Sequence, residues 1–299
     1  MFRFKAEQKV FEIGGVKVGG EPGKNPTVLI GSIFYHKQKL LTDDRKGEFN
    51  KEEAEKLIKL QEEFSDRTGN PCMLDVIGSS AESIEKFLDF TAGVTDVPIL
   101  IDGTTADVRV AGLRYAEEVG LVDRAIYNSL VPKYKQEEAN TIREVGIEAA
   151  ILLTFEMREF TTLGRIKAAK KLLETAKNIG IRKPLIDTCV LDVPTLGMAC
   201  RAIYILKDET GFPVGCSPHN AISTWRGLRR KMGKQAVRPA LSSASVIAAT
   251  VGGDFLLYGP IEAAPYVFPV VAMVDAALGY YYVENREMLD RSHPLFKIA

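Results

Sequence analysis

The sequence predicts an α/β fold, a (β/α)8 TIM barrel preceded by a short N-terminal β-hairpin. Short apolar runs alternate with amphipathic helical stretches eight times along the 299 residues, which indicates a parallel sheet. Several of these runs end at a carboxylate, amide or hydroxyl residue, as strands do when they line the mouth of a barrel. We therefore expect residues 1–299 to form one barrel domain, with the hairpin and a linker in residues 1–26.

The composition is that of a soluble globular enzyme, with 46% hydrophobic and 26% charged residues. Lys+Arg and Asp+Glu are equal at 39 each, so there is no general attraction to nucleic acid or to an anionic membrane. The N-terminus MFRFKAEQKV is too charged for a signal peptide. The longest apolar stretches, Ala240–Gly253 and Ala263–Val274, are too short or too broken to span a bilayer. We expect a cytoplasmic protein that reaches a membrane only through partners.

The first half of the chain contains the hairpin and four strand–helix units. KVFEIGG and VKVGG predict hairpin strands that plug or flank the barrel floor, and GEPGKNP predicts the linker. The next strands are predicted at TVLIGSIF (Thr27–Phe34), CMLDVIG, PILID and AIYNSL. Asn50 and Glu53 form a capping box for the first helix, Ser80 caps the second, and Gly120 ends the third. The charged segment HKQKLLTDDRKGE predicts a loop, and Lys135–Val145 the fourth helix.

The second half repeats this alternation. EAAILLTF, KPLIDTCVL, PVGCS and DFLLYG predict strands five to eight. Helices are predicted over Gly164–Ile179 and Thr195–Asp208, then through Met232, through Val251 and finally up to Glu284. The tail MLDRSHPLFKIA is expected to be irregular. A doubly wound open sheet is the alternative fold, but the glycine fingerprint G-x-G-x-x-G that such a sheet would be expected to carry is absent.

Polar side chains at the predicted strand ends are the candidate binding residues. They are Asp75, Asp102, Asn128 and Asp187, together with Ser217 and Asn220 in the run PVGCSPHN. Asp accepts hydrogen bonds and Asn both donates and accepts, so the set suits the donor–acceptor edge of a flat heterocycle. With little His and no dense Cys cluster, we predict neither a metal site nor a phosphate site.

Each candidate also has a structural interpretation. Asp102, Asp187 or Asn220 could cap the helix that follows it, since Asp and Asn commonly open helices. Asp75 lies earlier in its run than the others do and could point away from the pocket. A lone His219 is more often a surface or core histidine than a catalyst. The four cysteines, Cys72, Cys189, Cys200 and Cys216, form no CxxC pair and predict reduced, buried thiols.

Long strings of the chain carry a resemblance to a known family. They are FKAEQKVFEIGGVKVGGEPG, PTVLIGSIFYH, TGNPCMLDVIG, LIDGTTADVRVAGLRYAEEVGLVDRAIYNSL, PVGCSPHN and VGGDFLLYGPIE. In these strings the chain resembles the MtrH family, which comprises the H subunit of tetrahydromethanopterin S-methyltransferase and stand-alone relatives. That family is similar in turn to pterin-binding barrels such as dihydropteroate synthase.

The resemblance implies roles for the strand-end residues. In pterin-binding barrels, Asp, Asn and Asp on strands three, four and six hold the pterin edge, and these positions fall on Asp102, Asn128 and Asp187. Ser217 matches the serine of the strand-seven motif. Pro218 follows it where those barrels have the Asn near N5, so the amide role passes to Asn220 or is lost. Asp75 is assigned to the pterin as well, and Asn220 and Asp187 are the candidate catalytic residues.

The implied activity is methyl transfer between N5 of a tetrahydropterin and the cobalt of a corrinoid protein. The cofactors are tetrahydrofolate or tetrahydromethanopterin, with cobalamin on a partner because Asp-x-His-x-x-Gly is absent, and a homodimer is expected. A shorter segment between Thr154 and Lys183 and a different tail favour a stand-alone tetrahydrofolate system for methylated amines or betaines. The alternative is the H subunit of a methanogen membrane complex.

Three interpretations remain open. A zinc–thiolate methyltransferase would need Cys or His ligands near one strand end. A non-catalytic docking subunit would hold the corrinoid protein without binding a pterin. The basic cluster Arg226, Arg229, Arg230, Lys231 and Lys234 could dock an acidic partner, bind the pterin's glutamate tail or be a solvated helix face.

Overall fold

The computed structural model describes residues 3–298, so residues 1, 2 and 299 of the predicted domain lie outside the described residues. Its strands are β1 (Val10–Ile13), β2 (Val16–Gly19), β3 (Val28–Ile33), β4 (Leu41–Asp43), β5 (Glu48–Phe49), β6 (Cys72–Gly78), β7 (Ile99–Gly103), β8 (Ala125–Leu130), β9 (Ala149–Leu153), β10 (Lys183–Asp187), β11 (Val214–Cys216) and β12 (Phe255–Pro260). Its helices are α1 (Lys51–Thr68), α2 (Ala81–Val94), α3 (Ala106–Glu118), α4 (Gln136–Val145), α5 (Thr162–Ile179), α6 (Val193–Thr210), α7 (His219–Ser223), α8 (Arg226–Met232), α9 (Val237–Thr250), α10 (Ala264–Glu284) and α11 (Pro294–Lys297).

Eight parallel strands close into a barrel in the order β3, β6, β7, β8, β9, β10, β11, β12, with β12 pairing back to β3. The predicted TIM barrel is confirmed. The register places Asp102 beside Asn128, and Leu153 beside Asp187. The polar strand ends therefore lie at the same end of the barrel, where parallel strands present their carboxyl termini.

The N-terminal hairpin plugs the opposite end. β1 and β2 pair antiparallel, and their buried side chains Ile13 and Val18 belong to the same apolar cluster as the inward residues of the barrel. Those inward residues include Ile30, Met73 and Leu100. The predicted hairpin is confirmed, and of the two expected placements it plugs the floor, which is a packed apolar core.

A buried ion pair ties the hairpin to the floor. The Nζ of Lys207 on α6 donates to both carboxylate oxygens of Asp254, at 2.6 and 2.7 Å, and to the carbonyl of Gly20 at 3.0 Å. The Lys207 side chain is completely buried. Asp254 also accepts the backbone N–H of Val214 at 2.9 Å. The ion pair therefore links α6 to the start of β11 through Asp254 and to the end of the hairpin through the Gly20 carbonyl.

Two predicted irregular segments are ordered elements instead. The charged segment after β3 contains the small hairpin β4–β5, because Phe49 packs edge-on against Phe34, which stacks on Phe87 of α2. The tail contains α11, whose first turn is capped by His293 through a hydrogen bond from the N–H of Leu295 at 3.1 Å. Aromatic packing and one capping histidine thus outweigh the polar composition of these segments.

The last long helix is more apolar than the sequence prediction allowed. Residues Ile261–Glu284 have a mean hydropathy of 1.5 and are long enough to cross a membrane. Half of that segment is buried, and α10 packs against α9 and α1. Val267, Phe268 and Val271 lie in the core between these helices. The predicted final helix up to Glu284 is confirmed, and it runs through Pro269. The apolar segment is longer than the predicted stretch Ala263–Val274, because it continues to Glu284.

Candidate active site

A cavity of about 580 Å³ opens at the carboxyl ends of the barrel strands. All six predicted binding residues line it, namely Asp75, Asp102, Asn128, Asp187, Ser217 and Asn220. Ser32, Tyr35, Ser129 and His219 contribute the other hydrogen-bonding groups, and Ile77, Leu153, Leu257, Gly259 and Pro260 complete the wall. The cavity is of the size that small-molecule sites usually have.

The alternation of side chains along each strand places these polar groups in one layer. Successive residues of a strand point to opposite faces, so residues two apart share a face. The inward apolar residues Ile30, Met73, Leu100, Ile126 and Leu185 form the floor cluster. Two residues further along their strands stand Ser32, Asp75, Asp102, Asn128 and Asp187. The pocket is therefore the next layer of the barrel interior above its apolar core.

Asp75 lies at the centre of this layer and is buried. Its Oδ2 accepts a hydrogen bond from the Ser32 hydroxyl at 2.7 Å, and its Oδ1 accepts one from Asn128 Nδ2 at 3.0 Å. The expectation that Asp75 could point away is wrong, because it shares the inward face of β6 with Met73. Both of its oxygens have protein partners, so Asp75 orients Asn128 and Ser32.

Asp102 and Asp187 are not helix caps. Thr105 caps α3 and Asp192 caps α6, each accepting the N–H of the third residue beyond it. Asp102 Oδ1 instead accepts the N–H of Gly103 at 2.6 Å, and Asp187 Oδ1 accepts that of Cys189 at 2.7 Å. Within residues 3–298 the Oδ2 atoms of both carboxylates accept no hydrogen bond from protein, which leaves two acceptors for a ligand.

Burial raises the pKa values of these carboxyl groups. The pKa of Asp75 rises to about 6 although Ser32 and Asn128 stabilise its anion. Burial also raises the pKa of Asp187 to about 6, although the N–H of Cys189 and the positive charge of Arg165 both act to lower that pKa. The pKa of Asp102 is raised well above its ordinary value, first by burial and then by the neighbouring negative charge of Asp75. Hydrogen-bond donors on a ligand would stabilise the charged carboxylates and so offset the free-energy cost of burying them.

The segment after β11 brings Ser217, His219 and Asn220 to the pocket. Pro218 occupies the position before α7, so Asn220 lies inside that short helix and does not cap it. Its Nδ2 donates to the Val190 carbonyl at 3.0 Å, and the side-chain oxygen is therefore the atom left for the pocket. Ser217 donates to the Leu257 carbonyl at 3.2 Å. Burial lowers the pKa of His219, which keeps its ring neutral.

The His219 ring rests directly on the backbone of Gly259. Gly259 has a φ of +86°, and a Cβ there would lie 2.3 Å from the ring. We expect Gly259→Ala to destabilise the protein by about 1–3 kcal/mol more than a conformationally matched substitution, because the ring must move. The matched control is Gly180→Ala, with a φ of +95° and open space at the Cβ position. Urea unfolding of both variants measures the difference in stability. Equal losses of stability would contradict the close contact between the His219 ring and Gly259.

Arg165 is a buried residue that supports the site from outside the cavity, and the sequence did not reveal it. Its guanidinium donates to the carbonyls of Thr188, at 2.7 Å, and Cys189, at 3.0 Å, and lies 3.9 Å above the Phe160 ring. It thereby holds the loop that follows Asp187. In the sequence Arg165 is one of several cations on α5. Only its helical spacing from the buried apolar residues of α5 distinguishes it from the exposed cations.

Across residues 3–298, no three His, Cys, Asp or Glu side chains form a group that could hold a metal ion. The four cysteines are buried and unpaired, as predicted. Burial raises the pKa of the Cys189 thiol to about 12 and that of Cys200 to about 11, so both are protonated at neutral pH. The zinc–thiolate alternative requires grouped, ionisable thiols, which the described residues 3–298 do not provide.

Comparison with known proteins supports one family. The family model described as tetrahydromethanopterin S-methyltransferase MtrH subunit matches residues 6–288. The chain is 43% identical over 293 residues to the H subunit of tetrahydromethanopterin S-methyltransferase from Methanopyrus kandleri, covering 91% of each chain. It is 41% identical over 309 residues to the protein of the same name from Methanothermobacter thermautotrophicus, covering all of both chains.

Solved structures support the fold. A dihydropteroate synthase from Xanthomonas albilineans, in complex with indole-2-carboxylic acid and 6-chloroguanine, superposes with a TM-score of 0.59 at 17% identity, covering 91% of this chain and 98% of that one. The dihydropteroate synthase of Yersinia pestis, in a sulfonamide drug complex, gives a TM-score of 0.63 at 12% identity, covering 90% and 98%. At such identities the likeness extends to the barrel alone.

Proposed function

Because the chain belongs to the MtrH family of methyltransferases, we propose that it moves a methyl group between N5 of tetrahydromethanopterin and the cobalt of a corrinoid on a partner protein. The expectation of a stand-alone tetrahydrofolate system is less well supported. It depended on a shorter segment between Thr154 and Lys183 and on a different tail, whereas the relative from Methanothermobacter thermautotrophicus aligns with the whole chain. The family alternative is therefore the better one.

The observation that carries the proposal is the pair of unpaired acceptor oxygens on Asp102 and Asp187 in the buried polar layer. The pyrimidine edge of a pterin presents an amino group and a ring N–H, both donors, next to a carbonyl. The two Oδ2 atoms would accept from those donors. Asn128 Nδ2 donates one N–H to Asp75 at 3.0 Å, and its second N–H would donate to the pterin carbonyl. Asp75 thus acts as a positioning residue in this arrangement.

Asn220 is the residue proposed to face N5. When the methyl group leaves N5, the electron pair of the broken C–N bond stays on the nitrogen, which leaves well only if it carries a proton. The partner's corrinoid supplies the cobalt electron pair that forms the new bond to the methyl carbon. Asn220 presents an acceptor oxygen to the pocket, so it would stabilise the protonated N5–H. In the opposite direction it would orient N5 for attack.

The assembly follows from the same proposal. The pocket opens at the mouth, and the hairpin closes the floor, so the corrinoid of the partner must approach from above the strand ends. We propose a cytoplasmic protein that works with a corrinoid protein and forms a homodimer. Half of the apolar segment Ile261–Glu284 is buried. Any attachment to a membrane would then go through partners.

A cobalt absorbance assay tests the proposed activity. The chain is mixed with a corrinoid carrier protein in the Co(I) state and with either methyl-tetrahydromethanopterin or methyl-tetrahydrofolate. We expect the Co(I) absorbance to disappear at least about tenfold faster with the methanopterin, since the relatives that the chain matches are named for that pterin. A faster reaction with the folate would restore the stand-alone system. No reaction with either, together with no pterin binding by calorimetry, would favour a non-catalytic docking subunit.

A further inference from the structure

The crossover between β11 and β12 carries a concentration of positive charge. The segment from Arg226 to Arg238, both included, contains six Lys or Arg residues. No Asp or Glu occurs between Glu209 and Asp254. The whole chain, by contrast, has equal numbers of acids and bases, 39 each. This imbalance is local to the helices beside the barrel mouth, which makes it a feature of that surface.

Part of this charge lines a second cavity, which we call the arginine groove. It has a volume of about 500 Å³ and is bordered by Arg226, Arg229, Arg238, Trp225 and Tyr266. It shares His219 and Pro260 with the pterin pocket, so the two cavities adjoin. Burial lowers the pKa of His219, and the shared wall is therefore neutral.

The arginines of the groove are available to a ligand. Arg238 lies 4.1 Å from the Tyr266 ring centre and donates to its hydroxyl. In the part of the chain described by the structure, Arg226 and Arg229 have no carboxylate within salt-bridge distance.

The one acid of the groove is engaged elsewhere. Glu262 accepts hydrogen bonds from the Tyr35 hydroxyl at 3.2 Å and from Gln38 Nε2 at 3.0 Å. Both of those donors belong to the segment after β3, on the side of the pterin pocket. The groove therefore combines an excess of positive charge with two aromatic side chains, a combination that suits a ligand with carboxylate or phosphate groups on an organic arm.

We propose that the arginine groove binds the acidic side arm of the tetrahydropterin, through its carboxylate or phosphate groups, while the pterin ring occupies the adjoining pocket. This inference rests on the proposed function. An arm that leaves the ring past His219 lies to the side of the mouth, which keeps the space above N5 open for the partner's corrinoid. Arg226, Arg229 and Arg238 are exposed at the rim of the groove. Trp225 and Tyr266 between them favour the organic arm of a small ligand over an acidic protein surface.

Calorimetry with two ligands tests this subsite. One ligand is intact tetrahydromethanopterin, and the other is 6-methyltetrahydropterin, which has the ring without the acidic arm. We expect the double variant Arg226→Met/Arg229→Met to lower the affinity for the intact pterin by about tenfold or more, since charge-assisted hydrogen bonds are lost. The affinity for the tail-less pterin should not change. The control double variant Arg230→Met/Lys231→Met removes two positive charges from the same helix outside the groove and should change neither affinity.

The other outcomes separate the two hypotheses. If the wild-type chain binds the tail-less pterin and the double variant binds the intact pterin with unchanged affinity, the arm does not use the groove and only this inference is overturned. If the double variant instead raises only the KM for the corrinoid carrier protein, the groove docks an acidic partner, which also overturns it. If the wild-type chain binds neither pterin, the proposed function itself fails, and the subsite fails with it.

Discussion

Replacing Asp187 with asparagine is expected to slow methyl transfer by about 10- to 100-fold and to make the free protein more stable at neutral pH. The slower transfer follows from the loss of a charged acceptor oxygen for the pterin edge, since a hydrogen bond to a charged group contributes about 1.5–3 kcal/mol. Methyl transfer to the corrinoid protein measures it. Asp192→Asn is the matched control, because it keeps the cap of α6 and does not line the pocket.

The gain in stability follows from the raised pKa of Asp187. Its pKa is 3.8 as an ordinary aspartate and about 6 in the folded protein. The folded state therefore holds more protons than the unfolded state between these values, and stability falls as the pH rises from about 4 to 6. Above pH 6 Asp187 is ionised in the folded protein and the full free-energy cost of burying its charge is present. Asparagine carries no charge and removes that cost. We expect a gain of about 1–3 kcal/mol at pH 7 and little below pH 4.

Urea unfolding of the wild-type chain and the Asp187→Asn variant at pH 4 and pH 7 measures this gain. If the Asp187→Asn variant keeps full turnover, Asp187 does not bind the pterin. A variant with unchanged stability at pH 7 would show that the carboxylate is already satisfied in the free protein. A loss of activity together with a gain of stability is the signature of a binding group held in a costly environment.

Replacing Lys207 with methionine is expected to destabilise the fold by about 3–5 kcal/mol, because it leaves the carboxylate of Asp254 buried without its partner. Both carboxylate oxygens accept from Lys207, whose side chain is completely buried. Chemical unfolding at neutral pH measures the loss. The control is Lys170→Met, which breaks the exposed pair with Glu209 at 2.8 Å and should change stability little.

The double variant Lys207→Met/Asp254→Asn distinguishes the charge from the packing. Removing both charges should recover a large part of the lost stability, since a buried pair can often be replaced by neutral groups at low cost. If the single and double variants are equally unstable, the loss comes from packing around α6 and not from the unpaired carboxylate. If Lys207→Met alone is as stable as the wild type, the ion pair does not secure the hairpin to the barrel.

The alternation of inward residues explains why the barrel and most of the site could be predicted. In five of the eight barrel strands a polar residue lies two positions beyond an inward apolar residue, and the short connections allow a closed parallel barrel. Asp102, Asn128 and Asp187 stand at the ends of their runs, where the pattern is easy to recognise. Asp75 and Ser32 obey the same step of two from Met73 and Ile30, but their runs continue beyond them. This left the orientation of Asp75 open and concealed Ser32 entirely.

Other features depend on contacts between distant parts of the chain. Thr105 and Asp192 cap α3 and α6 in place of Asp102 and Asp187, because three residues separate Asp102 from α3 and five separate Asp187 from α6. Arg165 reaches the loop after β10 from another helix. The orientation of Asn220 depends on the Val190 carbonyl, 30 residues away. Local patterns do not contain such information, so these details could come only from the folded chain.

A crystal structure of the chain with bound tetrahydromethanopterin tests most directly whether the polar layer at the barrel mouth is the pterin site. We predict that the pyrimidine edge lies against the free oxygens of Asp102 and Asp187, with Asn128 beside it and Asn220 within hydrogen-bond distance of N5. A pterin bound outside this cavity, or one that turns its pyrimidine edge toward the solvent, would contradict the assignment.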